Sequence, residues 1–385
     1  MTTAHRTDAI APPAVRLYLA LELGWTEYKL AFTIGHGQAA RLRTIKARET
    51  ESLLSEIVKA KRRFRLPDDA PVVSCYEAGR DGFWLHRWLA ATGIENVVVD
   101  SASIEVNRRK RRAKTDRLDA AKLVAMLLRY HAGEGKVWSV VRVPNDGDED
   151  ARQLHRELME LKDERTAHVN RIKGCLASQG LAAEVTEDFP ARLELLRCWN
   201  GLAVPAELRQ RLLREFERWR FVRQQIVDLE KERRQRIRRQ ASPQVEKVRT
   251  LLTLRGIGLN GSWLLVYELF GWRRIRNRRE LAALVGLTPT PYDSGGNSRE
   301  QGISKAGNKR LRKMLVELAW CWLRWQPDSA LSQWYAARFA RGGRRARKVG
   351  IVALARKLLI ALWRYLEHGE IPQGVKLCDW ETKAA

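Results

Sequence analysis

Arg16-Leu17-Tyr18-Leu19-Ala20-Leu21-Glu22 is an apolar run that closes on an acid, and it reads as a short β-strand. Residues 28–34 and 39–46 follow at hairpin distance and read as strands that pair with it. Residues 50–64 have helical spacing through Leu53, Leu54, Ile57 and Val58. Residues 71–76 form a buried-type strand, residues 81–92 a helix through Phe83, Trp84, Leu85, Trp88 and Leu89, and residues 96–99 a further apolar strand. Strands first, then alternating helix and strand, predict a mixed sheet with helices packed on it. This α/β domain covers residues 15–135.

Residues 151–240 follow a different rule. Leu154, Leu158, Leu161, Val169, Ile172 and Leu176 recur at threes and fours, as do Trp219, Val222, Ile226 and Leu229. Glu, Arg and Lys fill the positions between them. Two long helices, joined by residues 178–205, pack either as a coiled-coil hairpin or along a dimer seam. The expected boundaries of this arm are 150–242. Residues 245–370 form a third, helical and basic unit with a loop-rich centre at 286–308.

Lys and Arg outnumber Asp and Glu by 71 to 45, a net charge of +26. An excess of that size points to a polyanionic partner, with nucleic acid the usual one. The rival, a membrane surface, finds no apolar run of 18 or more residues and no apolar leader in the first fourteen. A cytosolic chain is expected. The five cysteines are scattered and the seven histidines form no metal-ligand pattern. A metal ion, if used, would be held by carboxylates.

The candidate acidic site begins with Lys114-Thr115-Asp116-Arg117-Leu118-Asp119-Ala120. Asp116 and Asp119, three apart at the start of a helix, share one face. Paired aspartates suit Mg²⁺ or Mn²⁺, although acids in a first helical turn also answer the helix dipole. Glu22 ends the first strand and Glu77 follows the strand at 71–76. Acids at the ends of neighbouring strands, facing an acidic helix, can converge on two metal ions for phosphodiester chemistry. Arg108, Arg109, Lys110, Arg111, Arg112 and Lys114 lie just before, placed to position phosphates.

Two further segments stand out. Gly256-Ile257-Gly258-Leu259-Asn260-Gly261 matches a dinucleotide fingerprint, but no strand–helix–strand unit with a following acid surrounds it. A helix-hairpin-helix-like turn fits better, with Gly256 and Gly258 exposing backbone N–H groups to phosphate. Pro291-Tyr292-Asp293-Ser294-Gly295-Gly296-Asn297-Ser298 reads as a loop in which glycines leave the Ser294 hydroxyl open. Arg299 and Lys305 add positive charge. Ser298 and Ser304 compete with Ser294, and Ser304 is expected to cap the next helix. Trp320, Trp322, Trp325 and Trp334 lie in helical apolar stretches and are expected in the core.

These motifs resemble the DEDD transposases of insertion-sequence family one hundred and ten, which includes the Piv-type DNA invertases. The resemblance runs from about residue 15 to about residue 370. It rests on Tyr76-Glu77-Ala78-Gly79, on the segment from Lys114 to Ala120, and on Gly286-Leu287-Thr288-Pro289 running on through Ser294-Gly295-Gly296 to Gly302-Ile303-Ser304-Lys305-Ala306-Gly307-Asn308. It implies an RNase H-like (RuvC-type) domain with four acidic metal ligands, here Glu22, Glu77, Asp116 and Asp119. A coiled coil and a helical transposase domain with a serine nucleophile, here Ser294, would follow. It also implies DNA as substrate, a guide RNA encoded by the element, and a homo-oligomer. Glu22 stands where the family usually has Asp, and Gly24-Trp25 where Ser-Lys is common.

The resulting expectation is a Mg²⁺-dependent, RNA-guided DNA recombinase. Its rivals are a nuclease that resolves branched DNA with carboxylates alone and a non-catalytic nucleic-acid-binding protein. A covalent protein–DNA adduct separates the first from both.

Overall fold

The computed structural model describes residues 15–104, 116–294 and 297–384, with side chains outside 116–118, 291–294, 297–301 and 384. The chain divides into two compact units, one ending at Pro144 and the other beginning at Asn145.

The first unit is built on β1 (Leu17–Leu23), β2 (Glu27–Thr33), β3 (Arg41–Lys46), α1 (Thr50–Arg63), β4 (Val72–Glu77), α2 (Trp84–Ala91), β5 (Glu95–Val99) and α3 (Asp116–His131). The five strands lie in the order β3-β2-β1-β4-β5. β1, β2 and β3 pair antiparallel, while β4 runs parallel to β1 and β5 parallel to β4. The mixed sheet read from the sequence is therefore present.

Alternation along β1 assigns its two faces. Leu17, Leu19 and Leu21 join Tyr28, Leu30 and Phe32 in a core with Leu53 and Ile57 of α1 and Leu85 and Leu89 of α2. Ala20, Ala31 and Cys75 point to the other face, where Ala120, Leu123, Val124 and Leu127 of α3 pack. The small residues on this face let the helix approach closely. Each fully buried Leu or Val contributes about 1.5–3 kcal/mol, so an acid at Leu127 would detach α3.

In the second unit, α4 (Asp146–Asp150) leads into α5 (Gln153–Ala177), α6 (Phe189–Leu195) and α7 (Ala206–Arg239). α5 and α7 pack antiparallel: Leu158 and Leu161 meet Val222 and Ile226, while Ile172 and Leu176 meet Leu212 and Phe216. The apolar stripe that left a hairpin and a dimer seam open is thus covered by the chain's own second arm. Residues 178–205 are more than a link, since Phe189 and Leu193 of α6 close the far end of the hairpin.

The remainder comprises α8 (Pro243–Leu252), α9 (Leu259–Leu265), a π-helical turn at Val266–Phe270, α10 (Arg278–Leu284), β6 (Pro289–Ser294), β7 (Asn297–Ile303), α11 (Lys309–Trp325), α12 (Ala330–Tyr335) and α13 (Arg344–His368). Its core contains Trp263, Leu265, Leu315, Trp322, Leu354 and Leu358. Of the tryptophans expected in the core, Trp322 is fully buried, whereas Trp320 and Trp325 are 51% and 44% exposed. Their positions on α11 turn away from the stripe of Leu311, Leu315, Leu318 and Trp322.

The segment read as a loop at 291–298 is a correction. It is a two-stranded antiparallel hairpin in which Ser294 pairs with Asn297 and Tyr292 with Arg299. Gly-Gly between two extended runs is itself a hairpin signal. Ser304 does not cap the following helix; Asn308 does, its Oδ1 accepting from the N–H groups of Arg310 and Leu311.

Candidate acidic site and serine hairpin

Parallel pairing sets Leu21 beside Tyr76, so the next residues, Glu22 and Glu77, are neighbours at the C-terminal ends of β1 and β4. Adjacent strands lie about 4.8 Å apart. Alternation puts Glu22 on the Ala20 side and Glu77 on the Cys75 side, which is the face covered by α3. Both are partly buried.

α3 runs antiparallel to these strands. Tyr18, early in β1, meets His131 at the end of α3, its hydroxyl 3.1 Å from Nδ1. Cys75, two residues before Glu77, directs its Sγ at the Leu123 carbonyl, 3.9 Å away. The helix start therefore lies at the Glu22 and Glu77 end of the sheet. Asp116 is the first residue of α3, and Asp119 is partly buried one turn on. Topology brings the start of α3 to the two glutamates, although among the described residues no three acidic, His or Cys side chains group closely enough to hold a metal ion. The donor set, carboxylates only, has the chemistry of a hard divalent cation site. The cationic candidates Arg108, Arg109, Lys110, Arg111, Arg112 and Lys114 lie outside the described residues.

The sequence did not reveal what surrounds Trp25, in the β1–β2 turn three residues past Glu22. Trp25 is 63% exposed. The guanidinium carbons of Arg48 and Arg80 stand 4.6 and 4.7 Å from its ring centroid. Asp81 holds both arginines, at 3.1 Å from Arg48 and 3.7 Å from Arg80, and its side chain is only 5% exposed. An exposed ring carrying two cations beside an acidic strand end suits contact with a nucleic acid base or phosphate. A tryptophan in a two-strand turn is a sequence signal, but its arginines come from distant turns.

In the second unit the serine hairpin is anchored at its base by backbone. Ser304 N–H donates to the Thr288 carbonyl at 2.9 Å, Lys305 N–H to Gly286 at 3.2 Å and Asn308 N–H to Leu284 at 3.0 Å. Gly286 and Gly307 make the approach possible. Both have φ in the left-handed region, and a Cβ on Gly286 would lie 1.9 Å from the Ala306 carbonyl oxygen. Gly286 and Gly307 thus act as a hairpin clamp. Lys305 is exposed, with φ of 56°. Ser294 ends β6 and Arg299 lies in β7, opposite Tyr292.

Gly256 and Gly258 lie between α8 and α9, a helix–turn–helix setting with no strand before it. Gly256, at φ 92°, lets the turn close on α11, where a Cβ would come within 3.0 Å of Trp325 Cβ. Gly258 is exposed and precedes α9. The Gly256 backbone is engaged in packing, so of the two only Gly258 faces open space.

Known proteins locate these features. A DEDD transposase model matches residues 25–179, beginning just past Glu22, and the model of the transposase IS116/IS110/IS902 family matches residues 248–335. A putative transposase, y4rJ, of Sinorhizobium fredii is 40% identical over 94% of this chain and 96% of its own. A second from that organism, y4qE, is 27% identical over 76% of this chain and 74% of its own. The transposase for insertion sequence element IS1328 of Yersinia enterocolitica is 29% identical over 59% of this chain and 66% of its own. With a relative this similar end to end, and with matches on both the acidic unit and the serine hairpin, the chain belongs to the IS116/IS110/IS902 family of transposases.

Proposed function

We propose that the chain is a divalent-metal-dependent, RNA-guided DNA recombinase that moves an insertion sequence with Ser294 as nucleophile. The observation that supports the reading is that Glu22 and Glu77 end the neighbouring parallel strands β1 and β4 at the end of the sheet where α3 begins, in a strand order compatible with an RNase H-like domain. Glu22, Glu77, Asp116 and Asp119 would hold Mg²⁺ or Mn²⁺. Such an ion supplies Lewis-acid stabilisation of charge on phosphate oxygens.

The remaining chemistry belongs to the hairpin. The Ser294 oxygen attacks a DNA phosphorus, loses its proton, and forms a serine–phosphate ester. The bond from phosphorus to the deoxyribose oxygen breaks, and that oxygen takes up a proton. The ester keeps the phosphate activated, so a new DNA hydroxyl can displace the serine and seal a recombined strand. A serine hydroxyl needs a base or stabilised charge to react, and Arg299 and Lys305 supply positive charge close in sequence. The +26 net charge serves both DNA and a structured guide RNA. A homo-oligomer is the expected assembly, and the Trp25 platform would add a nucleic-acid contact surface.

The test is to react the purified protein with a DNA substrate carrying the element's end and map the modified peptide by mass spectrometry. A phosphoester on Ser294, absent in Ser294→Ala, is expected. Cleavage without any adduct would instead identify a carboxylate-only nuclease. A discrete structured RNA should copurify; a random mixture would overturn the guided mode.

A further inference from the structure

A cavity of about 1160 Å³ opens in the second unit, between α10, the base of the serine hairpin and α13. It exceeds the roughly 300–1,000 Å³ of ordinary small-molecule sites. Arg278 and Arg279 stand on one wall, and Arg344, Arg345, Lys348, Arg356 and Lys357 along the other. No acid lines it. Among the described residues none of these seven cations is matched to a carboxylate, whereas several arginines of the helical arms are, as Arg236 is with Glu232 at 2.6 Å. Like charges gathered without countercharge repel one another, and a polyanion relieves that cost.

Between the cations the surface is apolar. Leu287, Ile303, Val349, Val352 and Trp334 line it, with Val349 51% exposed. Trp334 carries the Lys357 ammonium 4.6 Å from its ring centroid. The opposite face of α13, with Ile351, Leu354, Ala355 and Leu358, is spent on the core. A duplex shows a groove of this kind only phosphates and sugars. An unpaired strand offers phosphates to the rim and base faces to the floor.

We infer that this groove binds an unpaired DNA strand and leads it onto the serine hairpin. The hairpin strands enter the groove wall at Pro289, Gly302 and Ile303. From Pro289 to Ser294 the strand advances about 17 Å at 3.4 Å per residue. The choice of DNA over RNA rests on the reading that Ser294 attacks DNA; the choice of a single-stranded polyanion rests on the groove alone.

The test uses full-length protein and a fluorescent twelve-nucleotide oligodeoxythymidylate, with anisotropy read across a salt series. Lys348→Gln with Arg356→Gln is expected to weaken binding at least tenfold and to flatten the salt slope by about 0.7 per lost contact. Val349→Glu, a change at an exposed position that leaves the core intact, should also weaken it at least tenfold. Arg238→Gln with Arg239→Gln, at the end of α7, should change it less than twofold. Unchanged binding in the groove variants at unchanged melting temperature overturns the proposal. So does equal loss of duplex binding, tighter binding of oligouridylate lost in the same variants, or a mononucleotide bound as well as the oligomer. Ser294→Ala should bind the oligomer normally. An absent Ser294 adduct with intact groove behaviour would sink the nucleophile reading alone, and an adduct with groove variants binding normally would sink only the groove.

Discussion

Arg156 of α5 grips Glu268 of the π-helical turn through two hydrogen bonds, Nε to Oε1 at 2.8 Å and Nη2 to Oε2 at 3.1 Å. Asn308, which caps α11 directly after the serine hairpin, donates to the same Oε2 at 3.2 Å. Burial pushes the Glu268 carboxyl up, but the Arg156 hydrogen bonds and the charges of Arg156, Arg152 and Arg310 outweigh it and hold the pKa below the ordinary glutamate value. One buried carboxylate thus ties the root of the helical arm to the cap that follows the hairpin.

Removing that carboxylate should be costly. Glu268→Ala would leave Arg156 half-buried and the buried Arg152 without its nearest countercharge. Breaking a buried pair from one side costs about 3–5 kcal/mol. Denaturant unfolding should show a loss in that range, with Glu268→Gln milder because it keeps one acceptor. A loss under about 1 kcal/mol, within the range of an exposed ion pair, would show that the cluster is ornamental.

Acid should weaken the same region through His155. Burial, and then the Arg233 guanidinium, push its pKa from 6.5 down to about 3. The unfolded chain therefore binds a proton near pH 6.5 that the native state refuses until about pH 3. The stability tied to neutral His155 is complete above pH 6.5 and is lost as pH falls toward 3. The slope is up to about 1.4 kcal/mol per pH unit. Glu215, held down to about 2 against burial by Arg171, His168 and Arg218, loses its share only below pH 4.5. Unfolding measured from pH 6.5 to 5 should accordingly isolate the histidine, and His155→Phe should flatten the slope there. An unchanged slope would reassign the acid sensitivity.

The helical arms and the sheet were legible because periodicity is written by burial. Leu17, Leu19 and Leu21 alternate since one face of β1 meets α1 and α2, and the arms repeat at threes and fours since each covers the other. The acids at strand ends were legible for the same reason: they break an apolar run where the sheet stops. The Glu268 cluster was not, because its partners lie 112 and 40 residues away. A glutamate inside Leu264-Leu265-Val266-Tyr267-Glu268-Leu269-Phe270 signals that some partner exists, not which. The basic groove was hidden similarly, as α13 shows one face to the core and the other to the cavity, and charge alone does not tell a groove from a solvated face.

The hairpin clamp gives a graded prediction. At Gly302, φ is 90° but a Cβ would meet nothing within 4 Å. Gly302→Ala therefore pays only backbone strain, about 1–3 kcal/mol. Gly286→Ala adds the collision with the Ala306 carbonyl, and Gly307→Ala a contact of 2.3 Å with the Leu284 carbonyl oxygen. Thermal melts should rank Gly302→Ala above the other two, with at least one of them failing to accumulate as folded protein. Equal melting temperatures for all three would mean the clamp yields easily.

The acidic residues should matter for cleavage and little for folding. Asp119 and Glu77 are partly exposed, outside the apolar cluster formed by Ala20, Cys75, Leu123 and Leu127. Asp119→Asn and Glu77→Gln keep the shape of each side chain and remove one negative charge, so melting should shift by no more than the few tenths of a kcal/mol usual for a surface change. Strand cleavage with added Mg²⁺ should fall by at least a hundredfold in each, because a carboxamide is a poor ligand for a hard cation. Glu22 sharpens the test, since its register position beside Glu77 comes from the strand pairing rather than from the matched family segment. Glu22→Gln should lose cleavage like the others, whereas Glu22→Asp, which keeps the charge and shortens the reach by one methylene, should retain measurable activity. Full activity in Asp119→Asn or Glu77→Gln would remove the four-carboxylate site. Full activity in Glu22→Gln alone would leave three ligands and take β1 out of the metal's shell.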